Sequence, residues 1–267
     1  PRVAGTILLS PEIGLPAVAA LAVWQGRLGH LLGLEKLAWN ALLPEYDPFK
    51  YGSFAVNAGD LAHRITVRIQ RQLTALQGSP ELAELPPIIA FQSSVDATVT
   101  ASALVANLFD RLPVGGHELV LFDINRRVDF DTLLQQDPRL VFDPLLDKTA
   151  RSYDLTVITN AGADSNRVAA QTSLTGENTE SIKPIQGQWP AAVFSLSHVA
   201  LPFPPNDPVY GGPAAAESPG IQLGNLALRG ERNVLKISGT DILRLRWNPF
   251  FDYMRARIVE FTELEDN

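Results

Sequence analysis

Three short apolar runs constrain this chain more than any other feature. They are VAGTILLS at 3–10, PIIAFQ at 87–92 and ELVLFDI at 118–124. Apolar residues follow one another in these runs instead of alternating with polar ones. A strand built from such a run cannot leave either face to water, which is the condition of strands in a parallel sheet covered by helices. Between the second and third runs, VTASALVANLFDRL at 99–112 places Ala103, Val105, Ala106, Leu108, Phe109 and Leu112 at helical spacing. Gly115 and Gly116 then turn the chain into the next strand. This is one strand–helix–strand unit, so the expected class is α/β, a mostly parallel sheet flanked by helices.

Residues 15–39 read as one or two helices, with Gly29 and Gly33 as weak points, and an aromatic, Pro-containing loop follows at 43–54. Asn57 is an expected N-cap for a helix over 58–76, whose Arg64, Arg68 and Arg71 form a solvated face. Residues 77–87 form a linker. A polar stretch at 129–151, broken by Pro138 and Pro144, is expected to hold a short helix or two. YDLTVITN at 153–160 alternates as a strand does, and RVAAQTSL at 167–174 is either its hairpin partner or part of a helix. WPAAVFSL at 189–196 is expected to be a strand that leads straight into His198. A Pro-rich loop follows, and a helical pattern lies within 243–262.

Composition removes several functional classes. Of the 267 residues, 46% are hydrophobic and 19% charged, which is ample for a core. The net charge of −7, with scattered basic residues, argues against a nucleic-acid surface. There is no cysteine, so disulfides, thiolate metal sites and thiol nucleophiles are excluded. No apolar stretch has the length of a membrane span; the nearest, 15–34, is interrupted by Gln25, Arg27 and His30. No signal peptide is present, the compartment is left open, and the Pro-Arg start reads as an internal segment of something longer.

Two residues stand out chemically. Ligands of open parallel sheets bind beyond the carboxyl ends of the strands. Asp96, in SSVDATV, lies just past one such end, where a carboxylate can orient a histidine. The plainer reading is a turn or helix-cap aspartate. His198 enters an irregular loop, SLSHVALPFPPNDPVYG, where an imidazole is placed for general-base work. The plainer reading there is a hydrogen-bonded, partly buried loop histidine. His30, His63 and His117 read as packing, surface and structural residues, and Asp129 and Asp131 as a solvated loop. No pair of histidines has metal-ligand spacing, and no phosphate or dinucleotide fingerprint occurs, so neither metal nor cofactor is expected. No glycine begins a G-x-S-x-G nucleophile elbow.

TILLSPEIG (6–14), LPEYDPFKYGSFAVNAG (43–59), FQSSVDATV (91–99), HELVLFDINR (117–126) and SLSHVALPFPPNDPVYG (195–211) carry a family resemblance. Over most of its length the chain resembles the carboxyl-terminal part of an α/β-hydrolase. It is most similar to a bacterial branch related to serine aminopeptidase-like and monoacylglycerol-lipase-like enzymes. The resemblance implies a single, partial α/β-hydrolase domain over 1–267. Asp96 matches the triad acid and His198 the triad base. The serine, and part of the oxyanion hole, would precede residue 1. Residues 15–57 match a lid, in which Trp24, Trp39, Tyr46, Phe49, Tyr51 and Phe54 would cover an acyl pocket or simply fill a core. Residues 127–190 would be an insertion, an added hairpin or cap, before the histidine strand. The implied substrate is a small acyl ester. An amino-terminal fragment, or self-association through an exposed sheet edge, is the implied partner. A non-catalytic binding or interaction protein on the same scaffold is the competing expectation.

Overall fold

A computed structural model describes residues 3–14, 28–29, 31–41, 53–96, 98–126, 144, 151–177, 180–190, 193–212 and 245–263. In chain order its elements are β1 (Thr6–Leu9), a 3-10 turn (Glu35–Ala38), β2 (Trp39–Ala41) and β3 (Phe54–Ala55). Next come α1 (Val56–Leu76), α2 (Pro80–Ala83), β4 (Ile88–Ser93), α3 (Ala101–Asn107), a second 3-10 turn (Phe109–Arg111) and β5 (His117–Phe122). The order ends with β6 (Tyr153–Asn160), β7 (Arg167–Ser173), β8 (Glu180–Gln188) and α4 (Phe251–Glu263). Two compact units result: residues 1–11 with 79–267, and residues 12–78.

The first unit is built on a six-stranded sheet in the order β1-β4-β5-β6-β7-β8. β1, β4, β5 and β6 run parallel, while β7 and β8 are added antiparallel. The class is therefore mixed α/β. Burial follows sheet position. Every residue of β5 is buried, as are all but the first of β4, because both faces are covered. β1, at one edge, alternates instead, and β8, at the other, is almost wholly exposed. The exposed edge carries Lys183 and Pro184 and a glycine, Gly187, at φ +127°, all of which interrupt the ladder a second strand would need.

The β4–β5 crossover forms as its spacing requires, but in two pieces. Thr100 caps α3 by accepting the Ala103 N–H at 3.3 Å, and Ala101, Leu104 and Val105 face the core. The helix stops at Leu108, and the rest of the expected 99–112 helix is the tighter turn. Gly116, at φ +73°, makes the turn into β5. Asn248 opens α4, its Oδ1 accepting the Phe250 N–H at 2.9 Å. Met254 and Phe261 of that helix join a core that includes Ile89, Phe91, Val120, Phe122, Trp189 and Phe250. Phe250 stacks on Phe122 at 6.1 Å and meets Trp189 edge-on at 4.9 Å. Gly5 is required here, since a Cβ on it would lie 2.7 Å from the Phe261 ring.

Two sequence expectations are corrected. Residues 189–196 are not a strand. Pro190 interrupts them, and among the described residues of this stretch only Val193 makes a bridge, although Val193, Phe194 and Leu196 are buried. The strand in that region is β8, whose polar, Pro-containing sequence has no core-facing pattern to betray it. The 77–87 linker holds a short helix, α2, with Pro80 in its first turn. Within the expected insertion at 127–190, β6 to β8 form a meander that extends the main sheet. Residues 127–150, except 144, lie outside the described residues.

The second unit contains the short β2–β3 pair and α1. Its helix starts at Val56, one residue ahead of Asn57, and no side chain caps it. Thr66 bonds back to the Ala62 carbonyl at 2.6 Å, and Gln70 reaches the Ile13 carbonyl at 3.4 Å. Of the lid expected at 15–57, residues 15–27, 30 and 42–52 lie outside the described residues. Trp39 is half-exposed. Among the described residues, no helix is long and apolar enough to cross a membrane.

Candidate functional site

β4 ends at Ser93, and a turn delivers Asp96 beyond the sheet's carboxyl edge. Asp96 Oδ1 accepts the backbone N–H groups of Thr98 and Val99 at 2.8 and 2.9 Å. This turn-capping role is the plainer reading of the residue, and it holds. It does not use up the carboxylate. Oδ2 accepts the backbone N–H of His198 at 2.9 Å, and His198 Nδ1 lies 3.0 Å from Oδ2 and 3.2 Å from Oδ1. The two residues are 102 positions apart in the chain. Both sequence-nominated residues therefore meet, acid to imidazole.

The electrostatics of the pair are set by burial and by hydrogen bonds pulling in opposite directions. The Asp96 side chain is fully buried, whereas His198 keeps 23% of its side-chain surface open. Burial by itself raises the carboxyl pKa. The His198 hydrogen bond and charge, with the Val99 and Thr98 N–H groups, outweigh it and hold Asp96 below its ordinary range. An ionised carboxylate has only acceptors, so neutral His198 must place its proton on Nδ1. Nε2 then carries a lone pair. Among the described residues nothing hydrogen-bonds Nε2, and no hydroxyl approaches it as a bonded nucleophile. What the pair can do chemically is accept a proton at Nε2 and stabilise the resulting imidazolium with a buried carboxylate.

The loop that carries His198 lies across the strand ends. Asn125, just after β5, donates its backbone N–H to the Phe194 carbonyl at 2.7 Å and its side-chain amide to the Val193 carbonyl at 3.2 Å. Ser93 donates to the Leu196 carbonyl at 3.0 Å, and Ser197 to the Leu245 carbonyl at 3.1 Å. Beyond His198 the chain turns tightly. Asp207 Oδ1 accepts the N–H groups of Val209 and Tyr210, and Phe203 packs on Tyr210 at 4.6 Å.

A second polar cluster sits at the same edge of the sheet and was missed by sequence reasoning. Buried Asp123 follows β5 and pairs with the Arg126 guanidinium through both its oxygens, while Thr159 Oγ1 donates to it at 2.8 Å. Burial pushes the Asp123 carboxyl up, against the pull of Arg126. Asn160 links the cluster to the histidine loop: it donates to Asn125 Oδ1 at 3.0 Å and accepts the Arg126 N–H at 2.6 Å. The strand-end position that singled out Asp96 applies equally to Asp123, in LVLFDIN, and is the signal that could have found it.

The remaining candidates are elsewhere. His117 is buried at the opposite end of β5, where its Nδ1 accepts the Ile88 N–H at 3.1 Å, a structural role as its sequence position suggested. His63 lies on α1, in the second unit. His30, Asp129 and Asp131 fall outside the described residues. No group of three or more His, Cys, Asp or Glu side chains suited to a metal ion occurs among the described residues.

Compared with known proteins, the chain matches no family model, no curated protein and no solved structure.

Proposed function

We propose that Asp96 and His198 are the acid and base of a Ser-His-Asp triad that hydrolyses acyl esters. The observation that carries this reading is the pair itself. A fully buried carboxylate contacts Nδ1 of a partly open imidazole whose Nε2 has no partner among the described residues. An imidazole oriented at Nδ1 by a buried acid is placed to take a proton at Nε2. This one has a single side held by an acid and the other left for a proton. The resemblance of the surrounding segments to α/β-hydrolases supports the same assignment. The serine would come from outside these 267 residues, since no G-x-S-x-G elbow occurs in them. It would attack the acyl carbonyl while His198 took its proton, and His198 would return that proton to the leaving alcohol. Water would then release the acyl group by the same proton path.

The test uses the full natural protein. Short p-nitrophenyl esters report turnover, and a fluorophosphonate probe reports an activated serine. Hydrolysis and labelling that both depend on His198 are the expected result. Full activity in His198→Ala would overturn the assignment. Absence of hydrolysis and labelling in the full protein would favour a binding or interaction protein on this scaffold.

A further inference from the structure

Residues 193–197 are buried, and the segment 193–198 belongs to no regular element, apart from the bridge at Val193. Its carbonyls cannot be satisfied by a ladder, and buried backbone groups without partners are costly. The Ser197 carbonyl accepts the Ala200 N–H within the loop, while those of Val193, Phe194 and Leu196 meet side chains and one N–H at the carboxyl ends of β4 and β5. Ser93 holds the Leu196 carbonyl, and Asn125 holds those of Val193 and Phe194. Both Ser93 and Asn125 are buried polar residues beside apolar strands, a costly placement that these bonds offset. Ser93 closes the strand whose next turn presents Asp96. The acid and the tether of its histidine therefore hang on one rigid element.

We infer that Ser93 and Asn125 are positioning residues for His198. They hold residues 193–198 across the strand ends so that Nδ1 meets Asp96 and Nε2 stays available. This rests on the acid–base reading of the pair. Neither residue touches the reacting atoms; each acts through the backbone that carries the imidazole. Ser93 is the stronger tether, since the Leu196 carbonyl it holds lies just before His198 in the chain, whereas the Val193 carbonyl held by the Asn125 side chain lies farther back. Loss of the Asn125 side chain leaves its own N–H on Phe194 in place.

The test is histidine 15N NMR on the chain as it stands. In the unaltered protein, neutral His198 carries its proton on Nδ1 and not on Nε2, with slow exchange of the Nδ1 proton. Ser93→Ala is expected to mix the two tautomers and speed that exchange about tenfold, the scale of one lost hydrogen bond. Asn125→Ala has the same effect to a smaller degree. A merely structural role for these residues lowers the melting temperature and leaves the His198 nitrogen signals unmoved, and that result in both variants overturns the inference. Should Ser93→Ala fail to fold, Asn125→Ala decides alone. Asp96→Asn separates the two layers of the argument. If it leaves the His198 signals unchanged, the acid–base pair itself is overturned. If it shifts them while the two tether variants do not, only the positioning inference fails.

Discussion

At the amino end of β5, His117 accepts a backbone N–H at Nδ1. At the carboxyl end of β4, His198 turns its Nδ1 to a carboxylate and must donate. One imidazole is thus wired as an acceptor and the other as a donor, at opposite ends of the same parallel strands. The surroundings differ in the same sense. The amino end offers His117 burial and, among the described residues, no carboxylate bond, and burial lowers its pKa. The carboxyl end gathers Asp96, Asp123, Arg126, Asn125 and Asn160 into bonded networks. A parallel sheet leaves its connecting loops at the carboxyl ends free to vary, so polar groups can collect there without disturbing the ladder. A histidine at either end can be buried.

The comparison breaks most visibly through activity. On the proposed triad reading, Asp96→Asn lowers ester turnover of the full protein on the order of 10⁴-fold, because the amide no longer enforces the Nδ1–H tautomer. His117→Asn leaves turnover within a few-fold. Steady-state assays of both variants make the contrast, and equal losses would dissolve it.

A stability effect comes next. Arg126→Ala leaves the buried Asp123 carboxylate without its cation, which is expected to cost about 3–5 kcal/mol in urea denaturation. Asp123 and Arg126 replaced together should recover part of that loss, as a double-mutant cycle would show. Additive losses would mean that the pair is not coupled.

The pH dependence separates the two ends by sign and window. His117 has a folded pKa below its ordinary 6.5, so the unfolded chain binds the proton first. Its contribution is complete above about 6.5 and is lost as pH falls toward the folded value. Asp96, also depressed, contributes fully above its ordinary 3.8 and loses that contribution only at lower pH. Urea midpoints followed from pH 8 to pH 3 should therefore soften first through His117. His117→Asn, which keeps an acceptor near Ile88, should cost about 1 kcal/mol at pH 8 and flatten the first step. A first step unchanged in this variant would assign it to another group.

The smallest effect belongs to the outer edge of the sheet. Ile182 on β8 is 67% exposed, so Ile182→Thr should alter stability by no more than about 0.5 kcal/mol. A larger loss would show that β8 is covered in solution.

Legibility of the fold followed burial. β4 and β5 could be read because strands buried on two faces are written as apolar runs, and β1 carries the same pattern at an edge, where Ile7 and Leu9 stay exposed. The same rule misled at 189–196, where Val193, Phe194 and Leu196 are just as buried but cover strand ends instead of joining a ladder. Apolar patterning reports removal from water, and it does not report which backbone groups pair. β8 was illegible for the converse reason: it pairs with β7 through its backbone while its side chains remain in solvent.

The site divides along a similar line. Sequence alone placed Asp96 beyond a strand's carboxyl end and His198 in an irregular loop, because strand ends and loops leave local marks that span a few residues. It also left each with a plainer reading, and for Asp96 the structure realises both readings at once, one oxygen capping a turn and the other meeting the histidine. That meeting spans 102 positions and is made by the tethers at Ser93 and Asn125. Contacts at such separations have no local pattern. They exist only after the sheet has assembled and its buried carbonyls have found their donors, so that part was decided by tertiary structure alone.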